Sequence, residues 1–125
     1  MKRTASILAG LVMSLPMMAQ EARTDTVPAQ YPGGAKALSE YISTNMKYPQ
    51  TAIGNGIEGV VTVEFMVKPD GVLDKFSILR LVDPDLEAEA MRLVKGMPVW
   101  TPASVGGKPV ESRSSVPVTF SLPEE

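Results

Sequence analysis

The chain has no cysteine and no histidine among its 125 residues. No disulfide can form, so the fold must stand on its apolar core, and the usual ligands of zinc, haem and iron–sulfur centres are missing. Serine and cysteine hydrolase sites that depend on a histidine base are excluded on the same ground. No cofactor is expected, and most enzyme classes fall away. Basic clusters are scarce as well: 12 Lys and Arg stand against 14 Asp and Glu. Phosphate binding needs clustered cations, so nucleic acid is not an expected partner. A single tryptophan and an aromatic content of 6% leave Trp100 as the one large anchor. It reads as a core-closing residue near a helix end, with stacking on a sugar or peptide as the alternative.

A long apolar run occurs only at the start. Met1-Lys2-Arg3, an apolar stretch from about Ala5 to Met18 and the small Ala19 have the three regions of a secretory signal peptide, with cleavage near Ala19 or Gln20. The run is shorter than the roughly 17 to 25 residues that span a bilayer, and it contains Ser14 and Pro16. An uncleaved anchor is the alternative. Cleavage would remove Lys2 and Arg3, leaving ten basic residues against fourteen acidic ones. Residues 21–30 read as a short flexible lead, and residues 31–125 as one domain of ordinary composition, 44% hydrophobic and 21% charged.

The clearest pattern lies between Ile57 and Leu81. Ile57, Val61, Val63, Phe65 and Val67 alternate with Glu58, Thr62, Glu64 and Lys68, which predicts a strand with one wet face. Lys68-Pro69-Asp70-Gly71 supplies a turn, and the return arm from Val72 to Val82 steps irregularly from Leu73 to Phe76, predicting a bulge near Asp74 and Lys75. Ahead of this hairpin, Ala35, Leu38, Ile42 and Met46 share one stripe of a helix over about Gly34 to Asn45. Tyr48-Pro49 breaks the chain before a helical turn at Gln50 to Ile53.

After the hairpin, Asp83 and Pro84 cap a helix carrying Leu86, Ala90, Leu93, Val94 and Met97, with Asp85, Glu87 and Glu89 near its positive end. Val99 to Pro109 reads as a connecting loop. Arg113 to Leu122 alternates as the last strand, and Pro117 places it at a sheet edge. The fold class is α+β: a three-stranded antiparallel sheet of order 2-1-3, counting strands along the chain, with the helices packed on one face.

Candidate chemistry is sparse. The acids at 83, 85, 87 and 89 lack the glycine of a calcium loop, because Ala88 stands in its place. Gly33-Gly34 and Gly106-Gly107 read as turns rather than phosphate cradles. Glu58 and Glu64 are six residues apart, roughly 20 Å along a strand, too far to act on one bond. The methionines outside the leader sit at apolar positions and read as packing rather than copper ligands. What remains is the open edge of the last strand, which is a template for an extended peptide or else a protected edge blunted by Pro117.

Tyr48-Pro49, Ile57-Glu58-Gly59, Val63, Phe65, Pro69-Asp70-Gly71, Ile78, Trp100 and Phe120, in this order and spacing, resemble the TonB carboxy-terminal domain family. Tyr31-Pro32-Gly33-Gly34 and Leu81 to Pro84 look like the Bacteroidetes-type branch. The resemblance implies a stand-alone periplasmic binding module, not an enzyme, that adds the TonB box of an outer-membrane TonB-dependent receptor as a strand beside its last one. On this chain that edge is Ser115, Val116, Pro117, Val118, Thr119, Phe120 and Ser121. The segment Asn45, Met46, Lys47, Tyr48, Pro49 and Gln50 is then expected to face the receptor.

Energy for nutrient uptake would come from inner-membrane proton-driven motor proteins, and a second copy of the chain, as a homodimer, is a further candidate partner. At about 3.1 Å per residue the lead reaches only some 30 Å, short of the periplasm's width. An anchored energy transducer and an envelope scaffold are the alternative readings.

Overall fold

A computed structural model gives the structure, which describes residues 25–123. The signal-peptide reading of residues 1–20 lies outside the described residues. The elements are β1 (Thr26–Val27), α1 (Gly34–Asn45), α2 (Gln50–Gly54), β2 (Gly59–Val67), β3 (Leu73–Ile78), α3 (Pro84–Lys95), β4 (Ala103–Val105), β5 (Lys108–Val110) and β6 (Ser112–Phe120). The main sheet has the order β3-β2-β6 with both neighbours antiparallel to β2. The alternating strand is therefore the middle one. Its inward residues Val61, Val63, Phe65 and Val67 are buried to within 1% and meet Val116, Val118 and Phe120 of β6.

The Asp83 carboxylate accepts from the backbone N–H groups of Asp85 and Leu86, which caps α3 as its sequence predicts. Leu86, Ala90, Leu93 and Val94 then bury the α3 stripe against the sheet. The irregular step in β3 is a bulge: Glu64 pairs with Ser77 and Met66 with Asp74, so Lys75 and Phe76 stand opposite Phe65 alone, and Lys75 takes a φ of 56°. Trp100 is 6% exposed and packs edge-on against Phe65, with ring centroids 5.1 Å apart. It closes the core.

Three expectations are corrected. The expected connecting loop holds the β4–β5 hairpin, turning at Gly106 and Gly107, both at positive φ. Of the expected flexible lead, residues 21–24 lie outside the described residues, and the rest is held to this hairpin. Thr26 and Val27 pair with Val105 and Ser104, and Gln30 exchanges two backbone hydrogen bonds with Thr101 at 3.0 and 2.9 Å, so a second sheet of order β1-β4-β5 stands beside the main one. The last strand ends at Phe120, which leaves Ser121 just beyond it. There the backbone N–H of Leu122 donates to Glu58 at 2.6 Å, giving that carboxylate a structural task.

Candidate functional site

Among the described residues two strands of the main sheet have an outer edge, and they differ in fitness to take another strand. β3 is six residues long, bulged, and interrupted by the left-handed Lys75. Bulges and charged residues are devices that blunt an edge. β6 instead runs nine residues in unbroken register with β2, from Gly59 opposite Phe120 to Val67 opposite Ser112.

Which groups β6 turns outward follows from its partner. The carbonyl of Thr62 accepts from Leu79 N–H at 3.0 Å, so the bonding groups of Thr62 face β3. In an antiparallel ladder a residue's N–H and C=O point to the same side, and successive residues alternate. Pro117 lies opposite Thr62. It therefore turns its nitrogen and carbonyl to the open side, as do Ser115 and Thr119 two residues either way. Val116, Val118 and Phe120 bond to β2 and send their side chains into the core. The edge offers outward donors at Ser115 and Thr119 with a gap at Pro117.

A helix overhangs this edge. The α1 stripe was expected to be core, but no residue of α1 is fully buried. Tyr41 ties the helix to α3 by donating its hydroxyl to the Leu93 carbonyl at 2.8 Å. Leu38, Ile42 and Met46 remain half-buried, and with Ala35, Ser39 and Ser43 they form one wall of a groove whose other wall is Val116, Pro117 and Thr119. Its volume is about 460 Å³. A second cavity of about 270 Å³ shares Ala35 and Leu38 with it and continues past Ser114 and Ser115 to Trp100. The free backbone groups of β6 and the open side of α1 thus meet in one channel. Periodicity marked the α1 stripe but could not tell a core face from a groove wall.

The segment expected to face a receptor is split. Asn45, Lys47 and Gln50 are exposed, Met46 lines the groove, and Pro49 is half-buried. Tyr48 is turned inward, donating its hydroxyl to the Ile57 carbonyl and packing edge-on against Phe120 with ring centroids 5.5 Å apart. The chain here is held by Glu89, which the sequence placed among the helix-end charges and the structure places 8% exposed beneath the turn. Its carboxylate accepts from Lys47 N–H at 2.7 Å and from Arg92 Nε and Nη2 at 2.8 and 2.7 Å, while Arg92 Nη2 also donates to the Asn45 carbonyl at 2.9 Å. A glutamate beside the Leu86–Ala90 stripe with an arginine three residues on was the available signal.

Burial alone would raise the Glu89 pKa. The Arg92 hydrogen bonds, then the Lys47 N–H, outweigh it and hold the carboxyl below its ordinary value. A depressed carboxylate stabilises the folded state above its unfolded pKa of about 4.3, and that contribution is lost as pH falls through the lower folded value. Thermal denaturation of Glu89→Gln between about pH 6 and pH 3 should therefore show a shallower acid loss of Tm than the unaltered chain. Two parallel curves would contradict this account of the clamp.

The sequence matches the family model described as the Gram-negative bacterial TonB protein C-terminal over residues 44–122. Two solution NMR structures of the Helicobacter pylori TonB carboxy-terminal domain resemble the fold. The longer form gives a TM-score of 0.53 at 25% identity, covering 70% of this chain and 78% of its own. The shorter form gives 0.53 at 25% identity, covering 72% and 95%. No curated protein matches.

Proposed function

Because the chain belongs to the Gram-negative bacterial TonB C-terminal family, a family of non-enzymatic protein-interaction domains, we propose that it is an exported module that binds an extended segment of an outer-membrane TonB-dependent transporter. Domains of this family work in the cell envelope and engage such receptors. Among the described residues no helix is long and apolar enough to cross a membrane. In our reading residues 1–20 direct export and the transporter segment adds to β6 as a fourth strand, serving energy-coupled uptake.

The observation that carries the reading is the β6 edge, with nine residues in unbroken register and the bonding groups of Ser115, Pro117 and Thr119 turned outward. A strand edge of this kind supplies main-chain hydrogen bonds to an incoming peptide, whose alternate side chains supply selectivity. Asn45, Lys47 and Gln50, exposed at the end of the groove, are then the residues that meet the receptor body.

A photocrosslinker at Thr119, expressed in the periplasm of the native host, should capture a TonB-dependent transporter near its amino-terminal segment. The same group at Lys75, on the blunted edge, should not. Capture of envelope proteins that include no such transporter would replace this function with a scaffold role.

A further inference from the structure

The groove between α1 and β6 has a chemistry that strand pairing alone does not require. We propose that it is a side-chain selectivity site, which takes an extended peptide with apolar residues at alternate positions and seats them against Leu38, Ile42 and Met46. The inference rests on strand addition to β6 and adds which peptides are accepted.

Residues directly opposite one another in neighbouring strands project to the same face. The residues of an added strand that stand opposite Val116 and Val118 therefore point toward the helix layer, under α1. Those opposite Pro117 and Thr119 point to solvent on the outer face. The inward ones enter a cavity of about 460 Å³ whose lining includes no charged side chain. A charged side chain there would lose water with no opposite charge to meet, only the hydroxyls of Ser39 and Ser43 on the helix wall, which costs free energy. An aliphatic one would complete the burial of a helix stripe that the domain leaves half-covered.

The channel fixes the length of the preference as well. The second cavity continues it past Ser114 and Ser115 to Trp100. From Ser114 to Thr119 is roughly 17 Å of strand, enough to seat two or three alternate side chains. The family match begins at residue 44. Of the groove residues, Ala35, Leu38, Ser39, Ile42 and Ser43 precede it, whereas Met46 and the β6 wall lie inside it. Most of the α1 wall thus precedes the region the family model matches and lies along the edge that this region presents.

The test uses the chain with residues 1–20 removed and two synthetic ten-residue peptides flanked by lysines. One alternates valine and threonine, and in the other serine replaces every valine. Amide chemical shifts of β6 report strand addition, and calorimetry reports affinity. The valine peptide should bind about tenfold or more tightly than the serine peptide, the worth of one partly buried aliphatic side chain. Ile42→Ser should reduce that ratio to near one while the β6 amides still shift.

Ser39→Trp alters an exposed position and fills the groove, so it keeps the test decisive if Ile42→Ser unfolds. It should weaken the valine peptide by about tenfold. Equal affinity for the two peptides, or a ratio that survives both variants, would overturn the inference while leaving strand addition intact. If neither peptide shifts the β6 amides, strand addition itself fails and the inference falls with it.

Discussion

Gly71→Ala should lower the unfolding free energy by about 3 kcal/mol and the Tm by roughly 15 °C, although it adds only one methyl group, at the buried end of a turn whose Lys68, Pro69 and Asp70 are exposed. Two costs combine. Gly71 sits at a φ of 88°, where an L side chain crowds its own backbone. Its added Cβ would also lie 2.1 Å from the Trp100 carbonyl oxygen, which is backbone and cannot swing aside. Trp100 would have to retreat. It would lose the hydrogen bond from its N–H to the Gly71 carbonyl, 2.9 Å long, and disturb the edge-on contacts its ring makes with Phe65 and Tyr31.

Gly107→Ala separates the two costs, since Gly107 has a φ of 83° and nothing within 4 Å of a built Cβ. It should cost only about 1 to 2 kcal/mol. Equal losses in the two variants, measured by denaturant unfolding, would show that the contact with Trp100 carries no weight.

The same turn shows what the sequence could and could not convey. Pro69-Asp70-Gly71 announces a reversal because each residue's local chemistry favours it, and the turn closes as that chemistry requires, with Gly71 N–H on the Lys68 carbonyl at 2.7 Å and Val72 N–H on the Asp70 carboxylate at 3.1 Å. The contact from Gly71 to Trp100 joins residues 29 positions apart, and nothing local encodes it. The pattern repeats across the chain. Asp83-Pro84 marked the start of α3, and the broken alternation near Lys75 marked the bulge, because capping and pleat are local. The β1-β4-β5 sheet was illegible because two- and three-residue strands are too short to show alternation.

The candidate site was half legible for a related reason. Alternation showed which β6 side chains face in, and Pro117 marked an edge, but neither shows where the nitrogen of Pro117 points. That depends on whether Thr62 bonds to β3 or to β6, and so on a register set between strands. The α1 wall was hidden more thoroughly. Leu38, Ile42 and Met46 have the spacing of a core helix, and they fall short of burial because Tyr41, on the neighbouring face, is what fastens α1 to α3. Glu89 likewise read as a helix-end charge, since the Lys47 N–H it accepts from, and the Asn45 carbonyl that Arg92 bonds beside it, lie more than forty residues earlier.

Two substitutions two residues apart on β6 should change peptide affinity in opposite directions. Thr119 turns a free N–H to the open side, and Thr119→Pro removes that donor, sets a ring against the incoming strand and leaves a peptide carbonyl without its partner. An unmade hydrogen bond in a closing interface costs about 1 to 3 kcal/mol, so affinity for the captured transporter segment should fall about 30-fold. The fold should survive, because Thr119 is exposed, its N–H serves no bond within the domain's ladder, and Val118 before it already has the extended conformation that a following proline demands.

Pro117→Val does the reverse. It restores a donor at the position between Ser115 and Thr119 and should tighten binding by about 1 kcal/mol, near fivefold. The sign separates two meanings of Pro117. If the proline only limits the register of a bound strand, its replacement tightens the grip, and if it protects an edge that binds nothing, Pro117→Val instead promotes self-association, visible in sedimentation as a dimer, with peptide affinity unmoved. Weakened peptide binding in Pro117→Val would contradict the outward direction assigned to residue 117 and, with it, the set of groups that β6 offers.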